Sequence, residues 1–242
     1  MKIWNQSSKD KNSAIDDFLS GEDIVLDQEL FLYDIEASMA HAHELENINI
    51  LTKSETKKVI VSLKKLAKLF LAKKFKLTSK YEDCHSAIED YLTKELGSVG
   101  KKIHTGRSRN DQVMVAMRLY ARAKLDEIQS MNLKIAQSFF DKAEKHSSDP
   151  MPGYTHLQRA MPSTWGLWFG AFAESFLDNA DLLSNTQIWM NINPLGSAAG
   201  YGVNLPIKRD ISTKELNFKR KQLNTLYVQN SRGKFELELI GS

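Results

Sequence analysis

The chain has 242 residues, of which 42% are hydrophobic and 26% charged, so it can bury a sizeable core and form one or two domains. Its net charge of +3 is too small to indicate nucleic acid as a partner, and we expect neither export nor membrane insertion, because no apolar run is long enough. Cys84 is the single cysteine, which excludes intrachain disulfides and cysteine-cluster metal sites and favours a reducing, cytoplasmic location.

The first 45 residues divide into a polar arm and a helix. Residues 1 to about 25 are predicted to form a loop-rich arm with an acidic patch around Gly21. Apolar residues recur at helical spacing over residues 26–45. His41 and His43 are two positions apart and therefore on different faces of this helix, which argues against a shared metal ion and favours a surface or packing role for each.

A second helix begins at Thr52 and Glu55, which have the spacing of a capping box. Its apolar stripe lies opposite a row of lysines: Lys57, Lys58, Lys64, Lys65 and Lys68. Such a cationic amphipathic helix can lie on a membrane surface, but the commoner arrangement, in which the lysines face water, is the interpretation we adopt.

A third helix follows the residues Glu-Asp-Cys-His at 82–85 and ends at Gly97, in the usual C-terminal glycine position. Glu82 and Asp83 are expected in its first turn, where they favour the helix electrostatically. His85 beside these carboxylates is either a base with a raised pKa or a partner in a structural hydrogen bond, and the sequence leaves both open.

The longest helical pattern opens at residues 104–113, which read His-Thr-Gly-Arg-Ser-Arg-Asn-Asp-Gln-Val. Gly106 permits a tight turn, and Ser108 and Asp111 have capping-box spacing, so a helix is predicted from about residue 108 to 146. Its first-turn amides face the same volume as Arg107, Arg109 and the amide of Asn110, which predicts an anion site. An ordinary charged helix cap is the weaker alternative. A helix this long implies a bundle of long helices, part of whose packed surface belongs to other subunits.

The connection after this helix contains Gly-Tyr-Thr-His-Leu-Gln at 153–158 and leads to Ser163, the predicted N-cap of a second long helix that ends near Met190. His156 lies in this connection and is not a core histidine by pattern, so it is a candidate functional residue. Residues 193–202, with three glycines, either let the backbone approach a ligand or form a tight loop. No segment shows the alternation of a convincing sheet, and a short helix is expected over residues 210–218.

The three motifs at 104–111, 153–158 and 193–202 together resemble the argininosuccinate lyases of the fumarase and aspartase superfamily. The resemblance covers essentially the whole chain and includes Trp4, the Tyr33-Asp34-Ile35 helix and the segment that contains His85. It implies an all-α fold of the fumarase/aspartase type, with a small N-terminal helical domain (1–103) and a central bundle of long helices (104–242) that is incomplete at its C-terminal end. It also implies a homotetramer whose composite active sites are shared between subunits.

The reaction that the resemblance implies is reversible β-elimination of argininosuccinate to L-arginine and fumarate, in arginine biosynthesis, with no cofactor and no metal. Removal of a proton next to a carboxylate builds a dianionic aci-carboxylate, so the site needs fixed donors, a base and an acid. By resemblance, Ser108, Arg109 and Asn110 bind the substrate carboxylates, and Thr155 and Gln158 add hydrogen bonds. His156 matches the catalytic histidine, as acid or as base. His85 and Asp83 belong either to the substrate pocket or to the residues that support it from behind.

Two departures from the family pattern stand out. The Gly-Gly-Arg-Phe that usually follows the tryptophan is replaced by residues 5–8, Asn-Gln-Ser-Ser, and residues 20–23 hold no clear equivalent of the serine that contacts substrate. The third signature, a mobile loop with the catalytic serine, is absent from these residues. The sequence is therefore expected to be the N-terminal half to two-thirds of a lyase, completed by a longer product or a second chain, and to have little activity alone. A non-catalytic crystallin-like protein, an interaction fragment of a lyase and a lyase for another fumarate adduct are the alternatives.

Overall fold

The computed structural model describes residues 22–78 and 80–242. The predictions for Trp4, Ser20 and most of the N-terminal arm fall outside this range. The helices are α1 (Asp23–Leu26), α2 (Phe31–Asn47), α3 (Lys53–Leu71), α4 (Cys84–Leu96), α5 (Ser98–Lys101), a 3-10 turn (Lys102–His104), α6 (Arg109–Lys145), α7 (Trp165–Met190), α8 (Asp210–Glu215), α9 (Thr225–Asn230) and α10 (Lys234–Gly241). The strands are β1 (Pro150–Thr155), β2 (Gln158–Thr164), β3 (Ile192–Asn193) and β4 (Arg220–Lys221).

The chain divides into two compact units. The first comprises the described residues up to Tyr120 together with Asn191–Lys234, and the second comprises Ala121–Met190 with Phe235–Ser242. Helix α6 therefore begins in the first unit and continues into the second. The domain boundary between residues 103 and 104 stays a prediction.

The expected all-α class is confirmed, because helices dominate the described residues and the strands form only two small two-stranded sheets. Strands β1 and β2 are an antiparallel hairpin, whereas β3 and β4 pair in parallel over two residues each. Within the described ranges, no helix is both long and apolar enough to cross a membrane.

Local capping signals set several helix boundaries. Thr52 and Glu55 form the predicted capping box, in which the Thr52 side chain accepts from the Glu55 amide at 3.2 Å and the Glu55 carboxylate accepts from the Thr52 amide at 2.8 Å. The expectation that Glu82 and Asp83 lie in the first turn of α4 is wrong. Asp83 is instead the N-cap, and its carboxylate accepts from the Ser86 amide at 2.8 Å. The predicted helix over residues 26–45 is interrupted, because turns at residues 27–30 separate α1 from α2.

The first unit has an apolar core between α2, α3 and α4. Phe31 at the start of α2 is fully buried, and its ring lies 4.5 Å from Phe70 and 5.6 Å from Phe75, centroid to centroid. A second cluster joins Val115 and Leu119 of α6 to α2 and to Leu195, Leu216 and Phe218 from late in the chain. Late residues thus cover the first turns of α6.

The second unit contains the antiparallel pair of α6 and α7. Phe139 of α6 stacks on Phe172 and Phe176 of α7, at ring separations of 5.1 and 5.9 Å. The connection between the two helices is a β-hairpin, which corrects the expectation of a sheet-free connection. Ser163 lies in β2 and not at the N-cap of α7. Thr164 occupies that position, and its hydroxyl accepts from the Leu167 amide at 3.1 Å.

Candidate active site

A cavity of about 320 Å³ lies in the first unit, between the start of α4 and the start of α6. It is lined by His85, Ser86, Glu89, His104, Ser108, Arg109, Asn110 and Gln112. Four residues that the sequence selected as substrate-binding, His85, Ser108, Arg109 and Asn110, are therefore brought together, although 23 positions separate the first two in the chain. The cavity is large enough for a small dicarboxylate.

The start of α6 forms one wall of this cavity, and its cap is built as the sequence indicated. The Asp111 carboxylate accepts from the Ser108 amide at 2.9 Å, and the Ser108 hydroxyl accepts from the Asn110 amide at 3.3 Å. Gly106, at φ +69°, makes the preceding turn, where a Cβ atom would lie 2.7 Å from the Ile207 side chain. This turn places Ser108 and the first two residues of the helix in the cavity wall.

The glycine-rich segment 193–202 packs its backbone against a carboxylate of the protein itself. The second oxygen of the fully buried Asp111 accepts from the amides of Gly196 and Ala198, both at 2.9 Å. Gly196 has φ +83°, a backbone conformation that other residues rarely adopt. Of the two readings of this segment, the tight loop describes residues 196–198, and the loop fixes the cap of α6.

His85 is held by a buried carboxylate that the sequence analysis did not select. Its Nδ1 atom lies 2.7 Å from Asp34, which is fully buried on α2 and also accepts two hydrogen bonds from the Gln112 amide, at 2.8 and 3.0 Å. Burial alone would lower the pKa of His85, but the charge of Asp34 outweighs it and raises the pKa above its ordinary value. Burial alone would raise the pKa of Asp34, yet His85 and Arg107 hold that pKa below its usual range. Both shifts favour the charged forms of the two groups, so the 2.7 Å contact between His85 and Asp34 is favoured as an ion pair.

The two arginines of the motif do not share one anion between them. Arg107 is buried and donates to the Ser38 hydroxyl of α2 at 2.8 Å. Arg109 is about one-third exposed and is paired with Glu82 at 2.7 Å and with Asp83 at 2.8 Å. Acidic groups of the protein therefore already balance much of the positive charge that the sequence assigned to a ligand.

The remaining predicted site residues, Thr155, His156 and Gln158, lie together in the second unit. Thr155 and Gln158 are the last paired residues of the β1–β2 hairpin, and His156 and Leu157 form its two-residue turn. Both turn residues have positive φ, at 49° and 62°, and Leu157 is 95% exposed. Such turns normally use asparagine or glycine, so this strained, exposed tip is typical of a segment retained for function.

The sequence agrees with a known family. A family model described as "Lyase" matches residues 7–233, which is most of the chain. The chain belongs to this lyase family. An argininosuccinate lyase of Xanthomonas oryzae pv. oryzae is 47% identical over 99% of this chain, and one of Stenotrophomonas maltophilia is 47% identical over 97%. The chain spans about half the length of these relatives, 56% and 54% respectively.

Solved lyase structures share the fold. An EDDS lyase variant with bound fumarate superposes with a TM-score of 0.80 at 26% identity, over 93% of this chain and 44% of that one. A fumarate lyase:delta crystallin from Brucella melitensis bound to cobalt gives 0.71 at 17% identity, over 84% of this chain and 50% of that one. The fumarase/aspartase-type helical fold expected from the sequence is therefore confirmed.

Two residues of the site were not selected from the sequence: Gln112, which lines the cavity, and Asp34, which is buried behind it and contacts His85 and Gln112. One signal could have found them. Asp34, Ser38 and His41 recur at steps of four and three on α2, and all three are buried, so a polar row runs along an otherwise apolar face. Buried polar side chains need partners, and such a row predicts a network on the facing elements.

One group of side chains in the described part of the chain has metal-ligand chemistry. Atoms of Asp27, Cys84 and His85 lie within 4.8 Å of one another. Asp27 already accepts from the Cys84 amide at 2.9 Å, and His85 is bound to Asp34. Burial, with nearby carboxylates, raises the pKa of the Cys84 thiol well above its ordinary value, which disfavours the thiolate that a metal would need. We assign no metal to this group.

Proposed function

We propose that the complete protein to which this chain belongs is an argininosuccinate lyase, which cleaves argininosuccinate to L-arginine and fumarate by β-elimination. One observation carries the proposal. His85, Ser108, Arg109 and Asn110 line a single cavity at the N-terminal end of a long helix, in a chain 47% identical to argininosuccinate lyases. The aci-carboxylate that precedes loss of the amine is a dianion, and helix amides, hydroxyl and amide donors and a cationic imidazole are the groups that stabilise it.

We further propose that His156 is the catalytic histidine and that Thr155 and Gln158 supply hydrogen bonds to the substrate. These roles rest on the family resemblance. Either proton-transfer role, acid or base, is consistent with an imidazole. His156 is exposed at the hairpin tip, and an exposed side chain is a poor proton-transfer catalyst until water is excluded around it. This points to an active site completed by other protein surfaces.

The assembly we propose is a homotetramer in which neighbouring subunits share each active site. The exposed apolar side chains of α6 and α7 support it: Ile128, Met131, Leu133, Phe140, Leu167, Leu177, Leu182 and Ile188 are each at least 41% exposed. So many exposed apolar groups on two packed helices are typical of a surface that another chain covers. A cytoplasmic location, as expected from the single cysteine, is part of the same proposal.

Turnover measurements test the proposed activity. We expect the 242-residue chain to release fumarate from argininosuccinate far more slowly than a chain extended through the serine loop. Loss of one proton-transferring group costs roughly 10² to 10⁴ in rate. Fumarate is followed by its ultraviolet absorbance, and the His156→Asn variant of the extended chain is the control, with a loss of similar size. Normal turnover by the short chain would contradict this expectation.

A lyase acting on another fumarate adduct is the second candidate, and the similarity to EDDS lyase with bound fumarate favours it. A panel of succinyl adducts given to the extended chain separates the two. Preferred cleavage of argininosuccinate supports the first proposal, and preferred cleavage of another adduct supports the second. No cleavage of any adduct by the extended chain would favour a non-catalytic, crystallin-like role.

A further inference from the structure

Arg232 contacts one residue of the cavity wall, Asn110. It is exposed, and its Nη1 atom donates to Asn110 Oδ1 at 3.0 Å, across 122 positions of sequence. Asn110 lines the cavity, whereas Arg232 does not. Under the proposed function, Asn110 binds a carboxylate of the substrate. Arg232 is therefore in direct contact with a proposed substrate-binding residue.

The contact fixes which way the Asn110 amide faces. A guanidinium group has five N–H donors and no acceptor, so only the oxygen of the amide can face it. The Nδ2 group then lies on the opposite side of the planar amide. Among residues 22–78 and 80–242, no side chain or carbonyl accepts from Asn110 Nδ2, so both of its N–H bonds are available to a ligand.

The charge of Arg232 is also available. In the described part of the chain no carboxylate lies within ion-pair distance of Arg232, whereas Arg109 is paired with both Glu82 and Asp83. Glu89, which lines the cavity, lies 3.8 Å from His104 and adds negative charge there. The negative charge of Glu89 opposes binding of an anionic ligand. The positive charge of Arg232, next to Asn110, offsets part of this repulsion.

The backbone next to Arg232 is held in place by hydrogen bonds of neighbouring residues. The preceding residue, Ser231, is fully buried; its hydroxyl accepts from Gln222 at 3.1 Å and donates to the Val228 carbonyl at 3.0 Å. Gln229 of α9 donates to the Ala198 carbonyl at 3.2 Å, on the same loop that holds the cap of α6. The arginine and the first turn of α6 are thus anchored to one common loop.

We propose that Arg232 is a positioning residue: it holds the Asn110 amide with its N–H donors turned to the cavity, and its charge makes the cavity selective for a carboxylate over a neutral group. The proposal deepens the proposed function and rests on it for the identity of the ligand. The positioning of Asn110 is independent of any ligand.

The first experiment needs no ligand. In the ¹⁵N-labelled 242-residue chain, the Asn110 side-chain amide signals are identified by their loss in Asn110→Ala. We expect Arg232→Ala to shift and broaden these signals, because the amide loses its anchor, and Arg232→Gln to preserve them better, because a donor remains. Arg220→Ala removes an exposed arginine of β4 and serves as the matched control. Unchanged Asn110 signals in Arg232→Ala would overturn the proposal.

The second experiment measures binding of fumarate, with the neutral diamide of fumarate as the comparison ligand, by calorimetry. We expect Arg232→Ala to weaken fumarate binding roughly three- to fivefold, the size of one exposed charge-assisted contact, and to leave the diamide nearly unaffected. Arg232→Lys should restore part of the affinity. Equal loss for both ligands, or no loss for either, contradicts the selectivity. A third outcome is that the unaltered chain binds no fumarate although the Asn110 amide signals change as expected in Arg232→Ala. In that case the positioning role of Arg232 is supported. The proposed carboxylate selectivity, and the proposal that this cavity binds the substrate, are then both contradicted.

Discussion

Asp34 is the charged centre around which the candidate active site is arranged. It is fully buried, yet it accepts hydrogen bonds from His85 and from Gln112, and the Arg107 guanidinium adds a further positive charge nearby. A buried carboxylate is stable only when its oxygens are this well satisfied. The same contacts fix the His85 ring, because Nδ1 faces Asp34. Stability and site geometry therefore depend on one side chain.

Replacing Asp34 by asparagine should destabilise the protein by about 3 kcal/mol, because it leaves cationic groups in the core without their buried partner. The pKa of His85 is raised above its ordinary 6.5, so the stabilisation is complete below that pH and disappears as pH rises through the folded-state value. The pKa of Asp34 is lowered from 3.8, so the same contribution disappears as pH falls through its folded-state value. The difference between the parent and Asp34→Asn should be largest between roughly pH 4 and 6.5.

Urea unfolding at several pH values checks this expectation. Asp181→Asn, which removes an exposed carboxylate of α7, is the matched control and should change stability by less than about 0.5 kcal/mol. A cost for Asp34→Asn that stays constant from pH 5 to pH 9 would argue against the ion pair.

At the scale of elements, two helices of the second unit meet at a glycine. The amide of Gly166, in the first turn of α7, donates to the His146 carbonyl at 2.9 Å, just after the end of α6. A Cβ atom at Gly166 would lie 2.5 Å from Ser147 Cα and 2.7 Å from the Ala143 carbonyl oxygen. Both neighbours are backbone atoms and cannot rotate away. The close approach of α6 and α7 at this end therefore requires glycine.

Gly166→Ala should lower the free energy of unfolding by about 1 to 3 kcal/mol, because the added methyl group forces the two helices apart. Gly170→Ala, one turn later in the same helix, meets nothing within 4 Å and should instead be neutral or stabilise the protein by up to about 1 kcal/mol. Thermal unfolding of the two variants side by side measures the contrast. Equal midpoints would show that the close contact at Gly166 does not limit stability.

At the scale of the whole molecule, the second unit leaves much apolar surface uncovered. Leu177 and Ile188 lie eleven positions apart on α7, and therefore on one stripe, with exposures of 48% and 53%. Small residues that neighbour this stripe, Ala173 and Ala180, are buried, so the helix packs within its own chain beside the exposed leucine and isoleucine. Because each of these side chains is already about half buried, covering the rest would contribute on the order of 1 kcal/mol to association.

The double variant Leu177→Glu and Ile188→Glu should lower the molecular mass in solution while the helix content stays unchanged, because the altered side chains are already exposed within one chain. Light scattering after size exclusion gives the mass, and circular dichroism gives the helix content. Asn179→Glu, an exposed polar position of the same helix, is the control. An unchanged mass in the double variant, or a monomeric parent chain, would contradict the proposed tetramer.

Sequence patterns predicted well the features that depend on neighbouring residues. The capping box of Thr52 and Glu55 and the start of α6 at Ser108 and Asp111 were predictable because each cap involves residues three positions apart. The β1–β2 hairpin was not predictable from alternation. Its strands contain Pro152, Gly153 and Pro162, a register shift interrupts them, and its turn residues are not typical of hairpins.

The sequence by itself determined the helical class, the ends of the main helices and the family resemblance. Helical periodicity, caps and short motifs all depend on residues that are close together in the sequence. Only the tertiary structure decided which partner each charged group takes. Arg107 turns to Ser38, 69 positions away, Arg109 to Glu82, and Arg232 to Asn110. Burial and Coulomb energies depend on distance in space, so charge partners of this kind are known only when the helices are packed.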